Sequence, residues 1–275
     1  MTGFTEVARD TYVLRYPVLD VNVTLLVGDG EALLVDTLST DPQARELAEA
    51  VRAVTSYPLT IVNTHHHFDH CFGNAVLAER GRPIWAHEEA AALLSERAER
   101  LRREWYEQWA PTHPELAAGL AEVRVVPPDR TVHREASLTV GGRPVLLRHL
   151  GRGHTAGDLV VQVPDADVLV AGDLVEESGP PAFEDSYPIE WPDTVHELLH
   201  LAGPRTTIVP GHGAVVDRGF VAGQHDELTA LAWLIRDGES DGAPVESVAA
   251  KAAFPPETAL IAVRRGYAEL SGRSG

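Results

Sequence analysis

At 275 residues, 44% of them hydrophobic and 23% charged, the chain has an ordinary globular composition and enough length to bury a substantial core. A formal net charge of -18 argues against nucleic acid and anionic membranes as partners, because both repel an acidic surface. No apolar run reaches the roughly 18 residues of a membrane span, and the start, MTGFTEVARD, lacks a basic stretch followed by an apolar one, so we expect a cytoplasmic protein.

In chain order, Val21–Val27 and Ala32–Val35 are apolar runs joined by Gly28-Asp29-Gly30, the signature of a hairpin. Asp41-Pro42 opens a helix, with Asp41 as the expected cap and Leu47, Val51 and Val54 at helical spacing. Leu59–Val62 is a short buried strand running into a histidine cluster. A helix over 73–79, a strand over 83–86 and one long charged helix over 88–108 follow. From residue 123 the pattern turns to strands, at 123–126, 138–140, 145–150, 159–163 and 168–171, with Gly141-Gly142 and Pro164-Asp165 at turns. A proline-rich loop over 176–192, a helix over 193–201, a strand over 207–209 and helices near 220–236, 245–253 and 256–270 complete the chain. Two blocks of similar plan with no low-complexity linker predict two mixed sheets packed face to face with helices outside. We expect one domain over 1–275, with a C-terminal helical segment over about 240–275.

Thirteen histidines are about twice the number expected for this length, whereas the single cysteine, Cys71, excludes a disulfide and a cysteine zinc site. The segment Thr64-His65-His66-His67-Phe68-Asp69-His70 follows a strand. Residues two apart on extended backbone point the same way, so His65 and His67 can reach one cation, while Asp69 and His70 lie past a bend and can reach a second. Gly153-His154-Thr155, Ala171-Gly172-Asp173 and Pro210-Gly211-His212-Gly213 each put a donor at a strand end beside glycine. The donors divide into His65, His67 and His154 for one ion and Asp69, His70 and His212 for the other. Asp173 can bridge the two, and each ion keeps a position open to water.

These four motifs, in this order, resemble the metallo-β-lactamase superfamily over roughly residues 10–235. The resemblance implies an α+β fold, a four-layer αββα sandwich with a dinuclear centre at one edge between the sheets. Within the superfamily, the 64–70 segment and Asp173 look most like hydroxyacylglutathione hydrolases of the glyoxalase II type. The lactamases usually carry cysteine or serine where Asp173 stands, which argues against a true β-lactamase, and only scattered Lys251, Arg264 and Arg265 stand where glutathione thioesterases have a basic cluster. The implied activity is cleavage of an ester, thioester or lactone of a small molecule by metal-bound hydroxide. Two Zn2+ per chain are expected, with iron or manganese as alternatives, and Asp69 is both ligand and orienter of the attacking hydroxide. Two other readings stand beside it: a mononuclear iron sulfur dioxygenase, and a metal-binding protein without turnover.

The remaining residues have plainer expectations. His66 points away from His65 and His67 and is expected to be hydrogen-bonded in the core, Cys71 to be a buried thiol, and His87 to cap a helix. His149, and His113, His133, His196, His200 and His225, are expected to be structural or on the surface. Asp36 and Asp158 are expected to support ligands rather than bind metal. Trp105, Tyr106 and Trp109 form either a lid over the substrate or the buried stripe of a helix. In the loop after Asp173, Glu184, Asp185, Tyr187 and Trp191 are candidate substrate contacts, with Tyr187 the expected donor to an oxyanion.

Overall fold

The computed structural model describes residues 3–272, so the last three residues of the expected 240–275 segment, and residues 1 and 2, lie outside the described residues. The first half of the chain forms β1 (Thr5–Ala8), β2 (Thr11–Tyr16), β3 (Val21–Val27), β4 (Ala32–Val35), α1 (Asp41–Val54), β5 (Leu59–Val62), α2 (Phe68–Cys71), α3 (Asn74–Leu77) and β6 (Ile84–His87). Next come α4 (Glu88–Glu96), α5 (Ala98–Trp109), α6 (Pro114–Glu122) and β7 (Arg130–Val132). The second half forms β8 (Glu135–Val140), β9 (Arg143–Arg148), β10 (Val160–Val163), β11 (Val168–Glu176), α7 (Trp191–Leu201) and β12 (Thr207–His212). It closes with α8 (Arg218–Ser240), α9 (Val245–Ala249) and α10 (Pro256–Leu270).

The strands follow one path, β7-β6-β5-β4-β3-β12-β11-β10-β9-β8, with β2 on β3 and β1 on β2. The two halves of that path meet through a single residue pair, His212 with Val21. Alternation along the strands shows how the path folds over. Leu26, Leu33, Val35 and Val62 share one buried cluster with Val145, Leu147, Val161, Val170 and Val209 from the other half. Their sequence neighbours Leu25 and Leu34 turn the opposite way, onto Ala44, Leu47 and Val51 of α1. Likewise Val160, Leu169 and Ala171 face Val195 and Leu198 of α7, Leu228 and Ile235 of α8, and Val263 of α10. Period-two alternation with both faces apolar therefore yields helix, sheet, sheet, helix.

Several boundaries differ from the sequence reading for local reasons. Thr40, not Asp41, caps α1: its extended backbone lets the hydroxyl accept from Gln43 N, while Asp41 is the first helical residue. The long charged helix breaks at Arg97 into α4 and α5. Residues 123–126 make no strand, and the strand in that region is β7. The strand over 168–171 runs on as β11 past Asp173 to Glu176, pairing with β12 through two register shifts. α6 and the exposed N-terminal β1 had no clear sequence signal. No helix among the described residues is long and apolar enough to cross a membrane.

His87 ends β6 and caps α4, its Nδ1 accepting from Glu89 N at 3.3 Å. Its ring stacks on His149 at 4.0 Å between centroids. Burial, and then the neighbouring His149, push His87 down to about 4, and burial lowers His149 as well. The unfolded chain takes up protons near pH 6.5 and the folded chain does not, so this contribution to stability is complete above about pH 6.5 and fades as pH falls toward 4. Urea unfolding at pH 7.5 and 5.0 should therefore show a smaller acid-induced loss of stability in His149→Gln than in the wild type.

Candidate metal centre

The site assembles at the C-terminal ends of strands from both halves. After β5 the chain bends over residues 64–66, and His67 is extended (φ -67°, ψ 149°) before the single turn of α2. That switch separates the side chains of His65 and His67 from those of Asp69 and His70. His154 comes from the loop after β9, Asp173 from within β11 and His212 from the end of β12. All but His212 are buried.

Their donor atoms fall into two groups. Around the first, His154 Nε2 lies 2.9 Å from His67 Nδ1 and 3.4 Å from Asp173 Oδ2, and His65 Nε2 lies 3.7 Å from the same oxygen. Around the second, His212 Nε2 lies 3.3 Å from His70 Nε2, 3.4 Å from Asp69 Oδ2 and 3.3 Å from Asp173 Oδ2. A tetrahedron of bonds about 2.0–2.2 Å long has edges of roughly 3.3–3.6 Å, so both groups have the size of a cation's coordination shell. His65 Nε2 is buried without a hydrogen-bond partner, as expected of an atom whose lone pair is meant for an ion. Gly211 leaves the space Asp173 needs: a Cβ there would sit 1.7 Å from Asp173 Oδ1. Gly172 does the same for Thr64, in a left-handed conformation (φ 55°). On these grounds the residues present fit a pair of metal ions that share Asp173.

The far nitrogen of most ligand rings is anchored. His70 Nδ1 lies 2.8 Å from Asp36 Oδ2, and Asp36 also accepts from Thr64 N and Thr64 Oγ1, each at 2.8 Å. Thr64 Oγ1 in turn meets His65 Nδ1 at 3.0 Å. Asp36 holds this position at φ 69°, a strained backbone for a residue other than glycine, where β4 ends. His67 Nε2 rests on Asp185 at 3.1 Å, and His66 Nε2 reaches the same carboxylate at 3.2 Å. His212 Nδ1 meets the Leu19 carbonyl at 2.7 Å. Leu19 and Asp20, with φ 61° and 60°, form a strained turn between β2 and β3, braced by Arg15 on Asp20 at 2.5 Å. Asp158 secures the His154 loop through Thr155 N and Thr155 Oγ1, at 2.9 and 2.7 Å.

The cluster draws positive charge. Burial opposes ionisation of Asp173, but His70, His212, His65 and His154 outweigh it and hold the carboxyl well below the usual range. Burial opposes protonation of His67 and His212, yet Asp185 raises the first to about 9 and Asp173 raises the second to about 10. His154, where burial dominates, falls to about 4. Cys71 is pushed well above its ordinary value by burial, and its thiol donates to the His66 and His67 carbonyls at 3.3 and 3.1 Å, an inert packing role.

A cleft of about 270 Å3 opens onto the cluster, with His67, Asp69, His154, Asp173 and His212 at its floor. Phe68, Trp105, Trp109 and Leu19 supply apolar walls, and Glu176 and Glu184 line it too. Trp105 and Trp109 line the cleft and also pack on the cluster of Phe68, Leu94 and Leu116, so they serve as wall and buried stripe together, whereas Tyr106 is exposed. The structure does not bring Tyr187 to the cleft. It is buried, with the Arg152 guanidinium 4.2 Å over its ring and its backbone N donating to Gly153 O, so its expected oxyanion role has no geometric support. Trp191 is likewise buried, donating to Leu174 O at 3.2 Å. Sequence reasoning missed Leu19, whose role depends on a left-handed turn, and Glu176, which was assigned to a loop because β11 was ended too early.

Residues 16–212 match the sequence profile of the metallo-beta-lactamase superfamily. A metallo-beta-lactamase type 2 from Bacillus cereus is 30% identical over 193 residues, 69% of this chain and 65% of that protein, so the match spans just under two thirds of that relative's length. The probable metallo-hydrolase YqgX of Bacillus subtilis is 23% identical over 209 residues, 74% of this chain and 90% of that protein. Among solved structures, the stereoselective inverting sec-alkylsulfatase Pisa1 from Pseudomonas sp. shares the fold with a TM-score of 0.79 at 18% identity, over 98% of this chain and 50% of that one.

Two substitutions test the geometry. Gly211→Ala should displace the Asp173 carboxylate and remove most bound metal, read by elemental analysis, while circular dichroism stays native. Asp36→Asn should lower metal affinity by about 10- to 100-fold, measured by chelator competition.

Proposed function

Because the chain belongs to the metallo-β-lactamase superfamily, we propose that it is a metal-dependent hydrolase of small molecules, with two ions, zinc in the first instance, held by His65, His67, His154 and Asp173 and by Asp69, His70, His212 and Asp173. The observation that carries this reading is the presence of two donor groups at the floor of an open cleft, with Asp173 in the first and within 3.1 and 3.3 Å of His70 and His212 of the second. Both groups are intact, which favours two ions over the single iron of the dioxygenase reading. The preferred substrates are esters, thioesters and lactones.

When bound, the ions supply Lewis acidity, providing a hydroxide nucleophile near neutral pH and polarising an acyl oxygen. The protein's own groups do the rest. Asp69 lines the cleft and holds the proton of the attacking water. Asp36, Asp185 and the Leu19 carbonyl fix the rings of His70, His67 and His212, so little reorganisation is needed as charge develops. Phe68, Trp105 and Trp109 exclude water from the apolar part of a substrate. No serine or cysteine nucleophile lines the floor: Ser178 sits at the exposed mouth and Cys71 is sealed.

Purified protein should hydrolyse members of an ester, thioester and lactone panel, lose activity on dialysis against a chelator, and regain it with zinc. Asp69→Asn should lower kcat by about 100-fold or more. No turnover across the panel by fully metallated protein would overturn the hydrolase reading.

A further inference from the structure

The cleft is built unevenly with respect to charge. Its apolar wall sets Trp105 and Trp109 tilted against the Phe68 ring, with centroids 4.9 and 5.9 Å away. Both indole Nε1 groups are buried without an acceptor. Besides the donor imidazoles, the titratable side chains that line the cleft are the carboxyls of Glu176, Glu184, Asp69 and Asp173, and no lysine or arginine does so among the described residues. The arginines of the adjoining loops are engaged elsewhere, Arg152 on Glu190 and Arg265 on the Ser186 carbonyl.

The ions' own charge belongs in this comparison. Two divalent cations would bring four positive charges. Asp69 and Asp173 in the donor groups, with Asp36 and Asp185 on the far nitrogens of His70 and His67, offset all four. Glu184 is then surplus negative charge at the mouth of the cleft, where it repels a like charge on an approaching ligand. The overall charge of -18 adds to that at longer range.

We propose that the cleft selects substrates whose acyl portion is uncharged or cationic, seats their apolar part against Trp105 and Trp109, and rejects anionic substrates through Glu184 at its mouth. This deepens the hydrolase reading and rests on it. Glu184 is exposed at the mouth, which makes it the residue to reverse without disturbing the core.

The test uses the metallated protein and three esters of matched size: 4-nitrophenyl butyrate, uncharged; 4-nitrophenyl 4-aminobutyrate, cationic; and mono-4-nitrophenyl succinate, anionic. The first two should exceed the third in kcat/KM by about tenfold or more, mainly through KM, and benzylpenicillin, an anionic lactam, should be a poor substrate. Glu184→Lys should narrow the ratio of uncharged to anionic ester at least threefold. Equal or faster turnover of the anionic ester by the wild type overturns the proposal, as does an unchanged ratio in folded Glu184→Lys. If none of the three esters is cleaved, the hydrolase reading is decided separately by the wider ester, thioester and lactone panel. Charge selection is then read from tryptophan quenching by the uncleaved anilides of the same three acids, where binding of the anionic anilide as tight as the uncharged one overturns it.

Discussion

Seven donor side chains share one small buried volume, and that constraint organises the structure. Donor atoms of His65, His67, His154 and Asp173, and those of Asp69, His70 and His212, form two groups within each of which they lie no more than 4.8 Å apart. Held so close, lone pairs repel unless positive charge sits among them; Asp185 raises His67 and Asp173 raises His212, while burial lowers His65 and His154. The strain at Asp36 and at Leu19 and Asp20 is sustained by the same arrangement. Each strained residue offers an acceptor to a ligand imidazole, directly or through its turn, and the sandwich on either side keeps those turns in place.

The fold explains why such distant residues meet. The two halves of the strand path touch at His212 and Val21, so the last ligand is delivered to the turn that anchors its ring. The inner core of valines and leucines sets how closely the two halves approach, and with it the spacing of the two donor groups. A buried network of Thr37, Asn63 and Asn74 ties the ends of β4 and β5 to the backbone of His70. Above this rigid floor, α5 contains no fully buried residue and carries Trp105 and Trp109 over Phe68, a covering element with much less to hold it than the floor has.

Much of this was legible in the sequence because it depends on local chemistry. Alternating apolar runs gave the strands, and the spacing of His65, His67, Asp69 and His70 reflects a change from extended to helical backbone within a few residues. The glycines beside Asp173 and His212 announced close approach, and Gly211 turns out to make room for the carboxylate itself. What was hidden depends on tertiary placement. Tyr187 lies in the right loop, but its ring is turned under Arg152. Asp185, one of several loop candidates, becomes the partner of His67 only once the loop is folded back. Leu19 carries no polar side chain, so no motif could mark a backbone carbonyl as part of the site. Glu176 reaches the cleft because β11 continues through two irregularities that the apolar pattern does not show.

We propose that this chain binds two metal ions that share Asp173. Metal content per chain, measured by elemental mass spectrometry on protein purified without a metal-affinity tag, tests it most directly. The account predicts about two ions per chain in the wild type and about one in His212→Ala. One ion or fewer in the wild type, with no change in His212→Ala, would contradict it.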